Sequence, residues 1–83
     1  MNDHRSERPL PLSRITRGTR VTIAVLPDGI LRSQFIRLGI CVGQNIMCLQ
    51  RLPGGTLIIE RNRQEIAIGR TLAQKILVFI TRL

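Results

Sequence analysis

Between Phe35 and Gly43 the chain runs Phe35-Ile36-Arg37-Leu38-Gly39-Ile40-Cys41-Val42-Gly43, which leaves room for one helix end, two sharp turns and the start of a strand. Phe35 and Leu38 are three residues apart and share one face of a short helix. Gly39 follows the last apolar residue of that face, where helices commonly stop in a left-handed turn. Gly43 turns the chain again before a strand-like run. The rest of the sequence reads as short strands wrapped around this corner.

With 83 residues the chain is one domain with a thin core, too small for a deep active site. A hydrophobic fraction of 43% excludes a fully disordered chain, and the aromatic fraction of 2%, Phe35 and Phe79 alone, makes the core aliphatic. The longest apolar run, Ile76 to Ile80, falls far short of the roughly 20 residues that span a bilayer. Residues 1–11 are polar, carry Pro9 and Pro11 and lack the apolar segment of a signal peptide. They read as a mobile tail, with the folded domain over 12–83 and a cytoplasmic address.

Leu12 and Ile15 anchor the start of the fold, and Gly18 breaks the chain before the first strand. In Thr19–Val25 the residues Val21, Ile23 and Val25 fall on one face, the period of a half-buried strand. Pro27-Asp28-Gly29 turns the chain, and Asp28 is a candidate helix N-cap. Leu31, Phe35 and Leu38 then follow the spacing of one apolar helix face, with Arg32, Gln34 and Arg37 toward solvent. Asn45–Leu52 is a strand apolar on both faces, crossing between two packed sheets or covered by the helix. Pro53-Gly54-Gly55 makes a hairpin turn back into Thr56–Arg61. Asn62-Arg63-Gln64 turns again, into the short strand Glu65–Ile68. Thr71–Gln74 forms one helical or 3₁₀ turn. Lys75–Thr81 closes the chain as a strand with Ile76, Val78 and Ile80 on one face. Five strands, tight turns and one short helix make a mainly β fold, a small, partly opened β-barrel.

No constellation for catalysis is legible. His4 is the chain's one histidine, Cys41 and Cys48 lie seven apart with no CxxC pair, and neither paired carboxylates nor a Ser/His/Asp set is present. A zinc site needs about four ligands, and these candidates are scattered. Cys48 reads as a small core residue and Cys41 as a turn residue. Gly39 and Gly43 do not make a phosphate loop, because no Lys-Ser or Lys-Thr follows. No catalytic, cofactor or metal residues are therefore assigned, and an enzyme is the weakest hypothesis.

The formal net charge of +8 is the strongest compositional signal. In the tail Arg5 and Arg8 are cancelled by Asp3 and Glu7, so the excess lies in the domain, where only Asp28, Glu60 and Glu65 are acidic. Such a surface attracts nucleic acid, anionic lipid or an acidic protein patch, or serves solubility alone. Small barrels that bind single strands use aromatic stacking platforms, and this chain has no Trp or Tyr. Phosphate-only contact with nucleic acid is the rival function, with a role in transcriptional regulation as its extension.

The pattern Phe35-x-x-Leu38-Gly39-Ile40-x-x-Gly43 resembles the helix-and-turn signature of the FeoA family, small bacterial proteins of ferrous iron uptake. Ile66-Ala67-Ile68, Ala73, Ile76 and Val78 are similar to that family's C-terminal signature, and Leu12, Ile15 and Gly18 sit where its fold begins. The resemblance spans residues 12–80. It departs from the family at Val42, where Pro is common, and at Phe35, where Leu is usual. It implies an SH3-like β-barrel and a non-enzymatic accessory role with FeoB, a membrane ferrous-iron transporter carrying a G-protein domain. It also implies likeness to the C-terminal barrel of iron-dependent repressors.

The expected function is thus an adaptor on the cytoplasmic face of a FeoB-like transporter at the inner membrane, with homo-oligomers also open. Its contact surface is the corner, with Phe35, Leu38 and Ile40 partly exposed and Arg32 and Arg37 steering the domain to an acidic partner or to the membrane surface. The alternative is that the three apolar residues are core, which the packed turn at Gly39 favours for Leu38. Direct carriage of iron would need oxygen or nitrogen ligands that the sequence does not cluster.

Overall fold

The computed structural model describes residues 8–81. The strands are β1 (Leu10–Pro11), β2 (Arg20–Val25), β3 (Asn45–Arg51), β4 (Leu57–Arg61), β5 (Gln64–Ile68) and β6 (Leu77–Ile80), all antiparallel in one sheet of order β1-β6-β2-β3-β4-β5. A 3₁₀ turn at Leu12–Arg14, helix α1 (Ile30–Arg37) and helix α2 (Arg70–Lys75) complete the domain. The turn at Thr71–Gln74 is therefore the middle of a second short helix. β3 crosses no second sheet, and Met47 and Leu49 stay half-buried on its outer side.

Strand alternation builds the core. Val21 and Ile23, Ile46 and Cys48, and Leu57 and Ile59 each present every second side chain to one buried face. Ile40, Ile68, Ala73, Ile76 and Val78 close around them, and Phe35 is the core's aromatic residue. Each fully buried aliphatic side chain contributes about 1.5–3 kcal/mol relative to exposure. No buried polar or charged residue interrupts this core among the described residues.

The structure refines several expectations. A sixth strand joins the five expected, because Leu10 and Pro11 pair with Val78 and Leu77. β1 thus precedes residue 12, where the domain is expected to begin, and residues 1–7 lie outside the described residues. Proline suits β1, an edge strand that can spare a donor. Val25 is 43% exposed, because the pairing of β2 with β6 shifts register between Ile23 and Val25 and the bulge hands the buried position to Leu26. Ile80 lies at the rim and is exposed, although Ile76 and Val78 of the same run are core. Asp28 is not the N-cap. Gly29 occupies that position without a side-chain bond, and the Asp28 carboxylate instead meets Arg32 Nη2 at 3.5 Å.

β4 and β5 are joined by Asn62-Arg63, both at positive φ (51° and 67°). Two such residues make a type I′ turn, whose twist matches that of the strands. Asn tolerates this region and Arg does not. Replacing Arg63 with Gly is expected to raise stability by about 0.5–1 kcal/mol, measured as a higher urea midpoint at constant m-value. A lowered midpoint would refute the turn assignment.

Candidate docking site at the helix corner

The end of α1 is fixed by backbone bonds. Gly39 N–H donates to Ile36 O at 2.9 Å and Ile40 N–H donates to Phe35 O at 2.8 Å. Gly39 carries φ +83°. These two bonds define a Schellman stop, whose usual companion is an apolar contact between the third-last helical residue and the second residue beyond the cap. Here those residues are Phe35 and Ile40, and both are in the core, 2% and 0% exposed. The turn that ends the helix therefore also buries them.

Arg61 braces the corner from the sheet. Leu57, Ile59 and Arg61 alternate onto the same side of β4, so Arg61 stands where the core row reaches the rim. Its Nη2 donates to Leu38 O at 3.2 Å and to Gln64 Oε1 at 2.8 Å. The first bond satisfies a carbonyl that the helix end leaves open and places a cation at the negative end of its dipole. The guanidinium packs against Gly39 so closely that a Cβ there would lie 2.6 Å from Cζ. Arg61 Nε is buried and has no hydrogen-bond partner. An open cleft of about 550 Å³ follows, lined by Arg37, Leu38, Gly39, Arg61, Gln64, Glu65 and Ile66.

The residues expected at the site divide. Leu38 is 49% exposed and lines the cleft, so the core placement favoured for it is wrong. As the cap residue it has left the buried helix face, and the inward position passes to Ile40. Phe35 and Ile40 are not partly exposed but fully interior. Arg37 is exposed and lines the cleft. Arg32 is exposed on the outer side of α1, where Nη2 also donates to Leu26 O at 3.3 Å. Sequence reasoning missed Ile36 (52% exposed), Val42 (53% exposed), Arg61 and Ile66. Arg61 carried a usable signal, a charge at the inward position of an alternating strand.

The cysteines do not add chemistry to the corner. Cys41 is half-buried in the turn and Cys48 is buried; both are free thiols. Burial pushes the Cys48 thiol up, against smaller opposing effects from the Gln50 carbonyl and Arg51. It is therefore a poor nucleophile. Among the described residues no three His, Cys, Asp or Glu side chains converge as a metal group. No helix among them is long and apolar enough to cross a membrane.

A six-stranded mainly β domain with short helices packed against it is a small fold of the SH3-like class. The FeoA domain family matches residues 10–79, and the chain belongs to the FeoA family. A solved iron uptake regulatory protein, FeoA, superposes with TM-score 0.80 at 27% identity, covering 89% of this chain and 100% of that one. A FeoA-like protein from Clostridium acetobutylicum shares the fold at 18% identity and TM-score 0.80, covering 92% and 91%. ScaR with bound Zn²⁺ matches at 25% identity and TM-score 0.77, covering 88% of this chain but 37% of that one. No curated protein matches the sequence.

Proposed function

We propose that this protein is a non-enzymatic accessory protein of ferrous iron uptake, which works on the cytoplasmic side by docking its α1 corner on a FeoB-type membrane transporter. One observation carries the docking surface. Of the six large hydrophobic residues exposed among the described residues, Ile30, Ile36, Leu38 and Val42 lie on α1 or the turn after it. Isolated exposed apolar residues are ordinary, whereas their concentration on one short segment marks an interaction site. Arg32 and Arg37 on the same helix steer the approach to an acidic partner. Phe35 and Ile40 act from behind, holding the corner in shape. Nucleic acid fits less well, because Phe35 is interior and cannot serve as a stacking platform.

Affinity capture from solubilised membranes tests this reading. The wild-type chain is expected to retain the transporter. Replacing Leu38 with Glu, an exposed change that spares the core, is expected to lower retention at least about tenfold, as loss of a central apolar contact does. Failure to recover any transporter component at low and moderate salt alike would overturn the proposal.

A further inference from the structure

We infer that the cleft beside β5 receives an extended, acidic segment of a partner protein, which joins the sheet as an added strand and directs its carboxylates onto Arg37 and Arg61. This rests on the reading above that the domain docks on another protein, and it names the recognition chemistry.

β5 is the end strand of the sheet. The two-residue turn at Asn62-Arg63 makes Arg61 and Gln64 a hydrogen-bonded pair, and the register then runs Glu60↔Glu65, Ile59↔Ile66 and Ile58↔Ala67. In an antiparallel ladder bonded and non-bonded pairs alternate, so the N–H and C=O of Glu65 and Ala67 point away from β4. Neither residue forms another backbone hydrogen bond among those described. The open edge thus offers a strand's worth of donors and acceptors.

The cleft lies along that edge. Gln64, Glu65 and Ile66 all line it, although successive side chains of a strand point to opposite faces. A cleft that touches three in a row follows the edge itself. Its facing wall is Arg37, Leu38 and Gly39, with Arg61 between. Arg61 commits Nη2 to Leu38 O and Gln64 Oε1, and Nη1 makes no hydrogen bond among the described residues. Guanidinium forks recognise carboxylates well, and Leu38 and Ile66 add apolar surface to the same cleft. Glu65 and Glu60 face each other on the outer side of the sheet, away from Arg61. A second copy of the chain is a poor occupant, because each carries a net charge of +8.

Backbone pairing and charge are separable by experiment. The full chain, labelled with ¹⁵N, is titrated with a capped nonapeptide of alternating Val and Asp, with its Val–Lys counterpart, and with the Val–Asp peptide carrying one central N-methyl group. The acidic peptide is expected to shift amide signals of residues 37–39 and 61–67. The Lys peptide should shift none, and N-methylation should weaken binding. Two variants avoid the bracing bonds of Arg61. Arg37→Gln is expected to weaken the acidic peptide about two- to fivefold, the effect of one exposed charge pair. Ala67→Pro, which an edge strand tolerates at an outward N–H, is expected to weaken it about three- to tenfold, the effect of one backbone bond.

Equal binding of the Lys peptide, shifts confined to other residues, or unchanged affinity in both variants would overturn the inference. So would the same shifts appearing when the unliganded chain is concentrated, which would identify a second copy as the occupant. Transporter capture separates the two levels. Capture by wild type without peptide binding sinks the cleft and leaves docking standing; peptide binding without capture does the reverse.

Discussion

Phe35→Ala is expected to lower the stability of the domain by about 3–5 kcal/mol, the range for removing a buried aromatic side chain. The ring is 2% exposed and is the one aromatic group of the buried core cluster among the described residues. It is also one half of the apolar pair that the Schellman turn brings into the core, with Ile40 as the other. Single domains have a total stability of about 5–15 kcal/mol, and small ones lie toward the low end. The variant should therefore unfold partly at 37 °C and show a large drop in urea midpoint. Phe35→Leu, which keeps most of the volume, should cost about 1 kcal/mol. A loss below about 1 kcal/mol for Phe35→Ala would mean that the ring is a surface contact group.

The corner was legible in the sequence because it is local. Phe35, Leu38 and Gly39 announce a helix end, and chain chemistry alone fixes the turn that follows. Exposure was less legible, since it depends on where the helix stops. Leu38 continues the spacing of Leu31 and Phe35, yet as the cap residue it turns outward, and Ile40 takes its place two residues later. Val25 failed for a related reason. A register shift against a strand fifty residues away reverses the phase of alternation, and nothing within β2 records it. β1 was missed because a two-residue strand has no period of its own; it exists only through its partners Leu77 and Val78. The cleft is the least local feature, formed where the end of α1 meets β4 and β5. Its one sequence trace is Arg61, the third inward position of an otherwise apolar row.

Gly39→Ala should be nearly as damaging as truncation of the core, and its damage should divide into two measurable parts. An Ala at φ +83° bears the steric cost of the left-handed region, about 1–2 kcal/mol. Its methyl group would also enter the space of the Arg61 guanidinium, 2.6 Å from both Cζ and Nη2. Arg61 can move aside only by giving up the bonds from Nη2 to Leu38 O and Gln64 Oε1, a further cost of about 1–2 kcal/mol. Arg61→Ala removes the obstruction, so the double variant should be more stable than the sum of the single losses implies, by about 1 kcal/mol or more. The further loss from Arg61→Ala to the double variant measures the backbone strain by itself. Strict additivity of the two substitutions in urea denaturation would show that the glycine answers only to its dihedral angle. Coupling would show that Gly39 is required twice, by the turn that ends α1 and by the arginine that ties that turn to the sheet.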